Sequence, residues 1–196
     1  IIEAAHIMCS VAENYRGNNN FEYDLTDIVR QAISEKGRMT LKDIKQAYDS
    51  KEMELFEKKC NEFLGLILLQ DKLLSCRSEF MVGKWINSAR KMGKSKKERD
   101  LYEWNAKVQI TTWGNRNASE NGGLRDYAHK EWNGILKDLY YTRWMLYFDY
   151  LKLGKETCNI DWFSIDTEWV KNKKNYPHKE YNNIIEVVKE FVQLNY

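Results

Sequence analysis

Proline is almost absent: the 196 residues contain one, Pro177. Proline and glycine punctuate a chain, so this scarcity leaves room for long helices. Runs of β-type alternation are few as well, while apolar residues recur at spacings of three and four along most of the sequence. No stretch reaches the ~18 consecutive apolar residues of a membrane span. Neither sign of charge dominates, because 31 basic residues against 29 acidic ones leave a net +2. So even a balance gives no broad electrostatic footprint for nucleic acid or an anionic membrane. Only residues 91–99 (K-M-G-K-S-K-K-E-R) are locally basic, as a solvated helix start would be.

The usual signatures of catalysis are also missing. There is no G-x-S-x-G, P-loop or G-x-G-x-x-G, and Gly122-Gly123 is too short to cradle phosphate. His6, His129 and His178 stand apart, without acidic or Cys neighbours at ligand spacing, so no metal site and no cofactor are expected. Cys9, Cys60, Cys76 and Cys158 are widely spaced, lack C-x-x-C, and sit in or near apolar helical patterns, which suits buried thiols. Glu103 and Asp126 are the tempting acids, but a helix cap or surface ion pair accounts for each, so no catalytic residue is assigned. The opening Ile1-Ile2-Glu3-Ala4-Ala5 is not a signal peptide, and it starts without Met inside a helical pattern, as an excised piece would. Asn117-Ala-Ser119 is a lone sequon in a chain rich in Asn.

What is present reads as an all-α, irregular bundle of about eight helices. The pattern predicts helices over residues 1–14, from an Asp24 cap to a Gly37 stop, and over 41–74 with a kink near Ser50. A shorter helix over 80–92 closes at Gly93, and Ser95-Lys-Lys-Glu98 is a capping box for the next. Residues 115–123 read as an Asn/Gly loop. Further helices are expected over 125–139, 142–153, 161–174 and 180–194. Together they make a single helical domain over 1–196.

Residues 101–144 carry most of the functional signal. Four of the seven tryptophans fall here: Trp104, Trp113, Trp132 and Trp144. Tyr102, Asn105, Gln109 and Thr112 share one helical face, beside an apolar stripe of Ala106, Ile110 and Trp113. Amides and hydroxyls beside an indole, on a helix stopped by Gly114, suit a sugar. The indole covers the apolar ring face and the amides meet hydroxyls. The competing reading is that these rings simply close a core. Arg143, between Tyr141 and Trp144, suits stacking on a ring or forking to a carboxylate.

The same stretch resembles a known family. W-N-x-x-x-Q-x-T-x-W-G, then R-D-Y-A-x-K-x-W-x-G-I, then Y-x-x-R-W is similar to the C-terminal helical domain of α-N-acetylglucosaminidases, glycoside hydrolase family 89. Phe21-Glu-Tyr-Asp-Leu-Thr-Asp-Ile-Val-Arg-Gln31, Phe80-Met-Val-Gly-Lys-Trp85 and Asn175-Tyr-Pro177 continue the likeness in order over nearly the whole chain. The resemblance implies a piece of a retaining glycosidase that removes terminal α-linked N-acetylglucosamine, outside the cytoplasm, without a cofactor. Its catalytic glutamates would lie on a barrel absent from this chain, and the barrel of the same polypeptide would be the partner of this domain. Trp113, Gln109, Asn105 and Tyr127 are then candidates for contact with the sugar. Arg77, Arg143 and Asp126 are candidates for the barrel interface or for structural support. The alternative is a non-enzymatic protein-binding or assembly module.

Overall fold

A computed structural model of the chain describes residues 1–154 and 159–194; Cys158 lies outside them. Among the described residues the regular elements are all helical, and β-structure is confined to one isolated bridge between Met81 and Asn133. The fold is all-α. Backbone contacts divide the chain into two compact units, residues 1–77 with 180–196 and residues 78–179.

The first unit is built on a helical hairpin of α2 (Asn19–Asp49) and α3 (Met53–Leu74), joined by α1 (Ile2–Ser10) and, much later in the chain, α9 (Ile184–Val192). Its core gathers Leu25, Val29, Ala32 and Ile33 from α2, Leu66 and Leu73 from α3, and Ile185, Val188 and Phe191 from α9. Several boundaries differ from expectation. The first helix stops at Ser10 and passes into a 3-10 turn over Ala12–Tyr15. Asn18, not Asp24, caps α2: its side chain accepts from the Phe21 N–H at 3.1 Å. Gly37 does not end α2. It lies inside the helix, where a Cβ would meet the Phe63 ring of α3 at 3.3 Å, so the residue serves close packing. Thr40, just before the start expected at 41, lies inside α2, and its hydroxyl donates to the Lys36 carbonyl one turn back. The kinked helix predicted over 41–74 belongs to two helices, because the chain reverses at Lys51, which has φ +61°.

The second unit holds α4 (Val82–Lys91), α5 (Lys96–Gln109), the short α6 (Arg116–Glu120), α7 (Tyr141–Lys152) and α8 (Trp162–Lys171). Ser95 and Glu98 form the predicted capping box of α5. The helix expected over 125–139 is absent. Residues 125–128 form a turn and 129–132 run without regular structure, then a single π-helical turn over Leu136–Tyr140 leads into α7. Its apolar residues Ile135, Leu136 and Leu139 are buried all the same. The predicted loop over 115–123 contains α6, capped by Asn115.

Sequence motifs that lie far apart meet inside this unit. A Cβ on Gly83 would overlap the Pro177 carbonyl, so the glycine of F-M-V-G-K-W is what lets the Tyr176-Pro177 break sit against α4. The Tyr176 hydroxyl donates to Asp138 at 2.9 Å, and the Trp85 indole N–H donates to the Ala106 carbonyl at 2.9 Å. Val82, Ile86, Ile110, Ile135, Leu139, Trp169, Val170 and Tyr176 make the core.

Candidate functional site

Helix α5 has two unlike faces. Glu103, Ala106, Lys107 and Ile110 point inward and are buried. Leu101, Trp104, Asn105 and Gln109, at i, i+3, i+4 and i+8, point outward and are exposed. Glu103 is not a surface partner as expected. It is buried against Lys107 at 2.9 Å and also meets Arg90. Burial pushes its carboxyl up, but the hydrogen bond and charge of Lys107, with Arg90, outweigh that and hold it below the ordinary carboxylate value. The Lys107 ammonium also donates to the Asn172 carbonyl at 2.7 Å. Every strong group here is spoken for, so Glu103 is placed to stabilise the unit rather than to transfer protons.

The helix ends earlier than expected, at Gln109, and the chain turns through Ile110 to Trp113. The left-handed position is taken by Trp113 itself, at φ +58°, and not by Gly114. The Trp113 N–H returns to the Val108 carbonyl at 2.8 Å. Thr111 and Thr112 fall inside, so Thr112 leaves the predicted polar row. Trp113 is not part of the Ala106–Ile110 stripe: it is 40% exposed, where a core indole would be nearly covered. Tyr127, 72% exposed, meets it edge to face with ring centroids 5.4 Å apart. The structure thus places Asn105, Gln109, Trp113 and Tyr127 at the surface, with the two rings in contact.

Behind this aromatic pair lies an ionic cluster. Arg143, in the first turn of α7, reaches Asp126 at 2.6 Å and Asp166 of α8 at 2.6 Å. Asp166 is fully buried and also faces Arg125 at 3.4 Å. Burial pulls the Arg143 guanidinium down, but the two carboxylates outweigh it and raise it above its ordinary value. Burial outweighs the two arginines at Asp166 and holds its carboxyl above the ordinary value, while Arg125 also meets Glu120 at 3.2 Å. A cavity of about 530 Å³ opens over it, walled by Tyr140, Trp144, Tyr147 and Trp162. Arg143 and Asp126 are therefore joined, as the carboxylate fork suggested. Asp166 went unseen in the sequence because nothing local marks a carboxylate paired across more than twenty residues. Arg77, in the other unit, is largely buried with its guanidinium 5.9 Å from the centroid of the Tyr23 ring.

Two further observations bear on chemistry. Among the described residues no group of three or more His, Cys, Asp or Glu is placed to hold a metal ion. No described helix is long and apolar enough to cross a membrane.

The sequence model of the α-N-acetylglucosaminidase C-terminal domain matches residues 1–193. Human α-N-acetylglucosaminidase is 28% identical over 200 residues, covering 97% of this chain and 26% of the human protein. A family 89 glycoside hydrolase from Clostridium perfringens, solved in complex with PUGNAc, superposes with a TM-score of 0.92 at 34% identity, covering 98% of this chain and 23% of that one. A doubly Glu→Gln-substituted form of the clostridial enzyme, in complex with its substrate GlcNAc-α-1,4-galactose, gives 0.91 at 33% identity over the same shares. The chain thus spans about a quarter of the length of these relatives. With one family's model running along almost all of its residues, the chain belongs to the family of α-N-acetylglucosaminidase C-terminal domains.

Proposed function

We propose that both units together serve as the C-terminal domain of a retaining α-N-acetylglucosaminidase and form one wall of its cleft. The full-length protein would remove terminal α-linked N-acetylglucosamine from a glycan, outside the cytoplasm and with no cofactor. Both catalytic carboxylates would come from the barrel, since Glu103 and Asp126, the acids that tempt here, are tied into ion pairs. The exposed apolar pair Leu101 and Trp104 suits packing against that barrel.

The observation that carries the cleft-wall reading is the open face of Trp113, next to Tyr127 and within a turn of Gln109. An indole there covers the apolar face of a pyranose, while Gln109 and Asn105 offer amides to a hydroxyl or the acetamido group. In the full-length enzyme, Trp113→Ala should lower kcat/KM for an aryl α-N-acetylglucosaminide at least about tenfold, roughly 1.4 kcal/mol of transition-state binding. The melting temperature should fall only modestly, because the ring is half exposed. Unchanged kinetics in the folded enzyme would remove Trp113 from the cleft and leave the aromatic face to a protein partner.

A further inference from the structure

We propose that Asp126 is a positioning residue: held by Arg143, it fixes the Trp113–Tyr127 pair in the orientation that receives the sugar. The inference rests on the cleft-wall reading above and adds how that wall is kept rigid.

The geometry runs as a chain of contacts. Asp166 is fully buried, and its carboxylate accepts from Arg143 Nε at 2.8 Å, which sets the plane of the guanidinium. The opposite edge of that plane, Nη1, donates to Asp126 Oδ2 at 2.6 Å. The Asp126 backbone N–H donates in turn to the Thr111 carbonyl at 2.8 Å, two residues before Trp113. The residue after Asp126 is Tyr127, whose ring abuts Trp113. One guanidinium is thus connected to both sides of the aromatic pair. A fork of this kind is specific to arginine, whose planar donors serve two carboxylates at once.

Backbone strain points to the same place. Three non-glycine residues of the described chain have positive φ, and two of them are Trp113 at +58° and Asp126 at +59°. Such conformations are costly for residues with a Cβ and persist only where the surroundings over-determine them. Neither side of this turn uses glycine, although Gly114 and Gly123 lie close by. The strained residues are the ring offered to the surface and the carboxylate tied to the buried arginine. A turn needed only to reverse the chain would have no reason to put an indole in that position.

The test is a double-mutant cycle in the full-length enzyme, reading kcat/KM on an aryl α-N-acetylglucosaminide. Asn tolerates the left-handed backbone and keeps the shape of Asp, so Asp126→Asn weakens only the ionic hold. It should lower kcat/KM about three- to tenfold when Trp113 is present and by less than about twofold in a Trp113→Ala background. Asp126→Gly, which relaxes the backbone while deleting the carboxylate, should repeat the pattern and serves if the Asn variant fails to fold. Equal losses in both backgrounds, or no loss beside an intact Trp113, would overturn the positioning role while leaving the cleft wall standing. A Trp113→Ala enzyme of normal kcat/KM would instead bring down the cleft wall, and the positioning role with it.

Discussion

The inward and outward faces of α5 set a buried ionic pair against an open row of side chains. Inward, a lysine and a glutamate lie buried at 2.9 Å from one another, each with further partners, on the face that also buries Ala106 and Ile110. Outward, one turn away, two amides and an indole stand in solvent on the same helix and its end. Burial makes the inner pair costly to disturb, because a charge left without its partner has no water to turn to. Exposure makes the outer row cheap to change, so those residues are free to answer to a ligand. The comparison can be attacked from either side.

The largest effect is expected from Glu103→Gln. It leaves the Lys107 ammonium buried without its countercharge and should cost about 3–5 kcal/mol of stability, read by chemical denaturation. Activity of the folded fraction should be normal. The pH dependence follows in sign. The Glu103 carboxyl is held below its ordinary value near 4.5, so the folded state resists protonating it. Its contribution is complete above that pH and is lost as the pH falls through the lower folded value. The substituted protein should lack that part of the acid slope. A Glu103→Gln protein as stable as the parent would mean that the inner face is not the support it looks to be.

Gly83→Ala should come next. The added methyl would overlap the Pro177 carbonyl, a backbone atom that moves only by displacing the Tyr176-Pro177 break. A cost of about 1–3 kcal/mol is expected, again without a kinetic signature. A silent substitution would show that the close approach of these two motifs is dispensable.

How much of this was legible in the sequence depended on the range of the forces involved. The capping box of Ser95 and Glu98 is satisfied within one turn, and it was read correctly. The helical class followed from periodicity over many residues. Gly37 was misread as a stop because its role is set by Phe63, on another helix, which no local pattern reveals. The missing helix over 125–139 had the same cause. Its apolar residues do reach the core, but through turns held by long-range bonds such as Asp126 N–H to Thr111. At the candidate site, local reasoning found the face of Asn105 and Gln109 by helical spacing. It extended the helix through Thr112 and gave the turn to Gly114, the inexpensive choice, whereas the fold gave it to Trp113. The Arg143–Asp166 pair was invisible for the reason that hides most ion pairs: its partners are brought together only by the finished fold.

The smallest effect on stability, and the most telling, is expected from Trp113→Gly. Four contributions compete. Relief of the left-handed backbone favours the variant by about 1–2 kcal/mol. Loss of the edge-to-face contact with Tyr127 disfavours it by about 0.5–1.5 kcal/mol. The greater freedom of glycine in the unfolded chain disfavours it by about 0.4–1 kcal/mol. The covered part of the half-buried ring disfavours it by a further ~1–2 kcal/mol. The net is a modest loss of stability, so the melting temperature should fall only slightly, while kcat/KM falls at least as far as in Trp113→Ala. A buried indole would behave in the opposite way, costing about 3–5 kcal/mol on truncation with no kinetic penalty in what remains folded. One substitution therefore reads both halves of the contrast. A strained residue whose removal costs the fold little but turnover much is held in place for the sake of its ring.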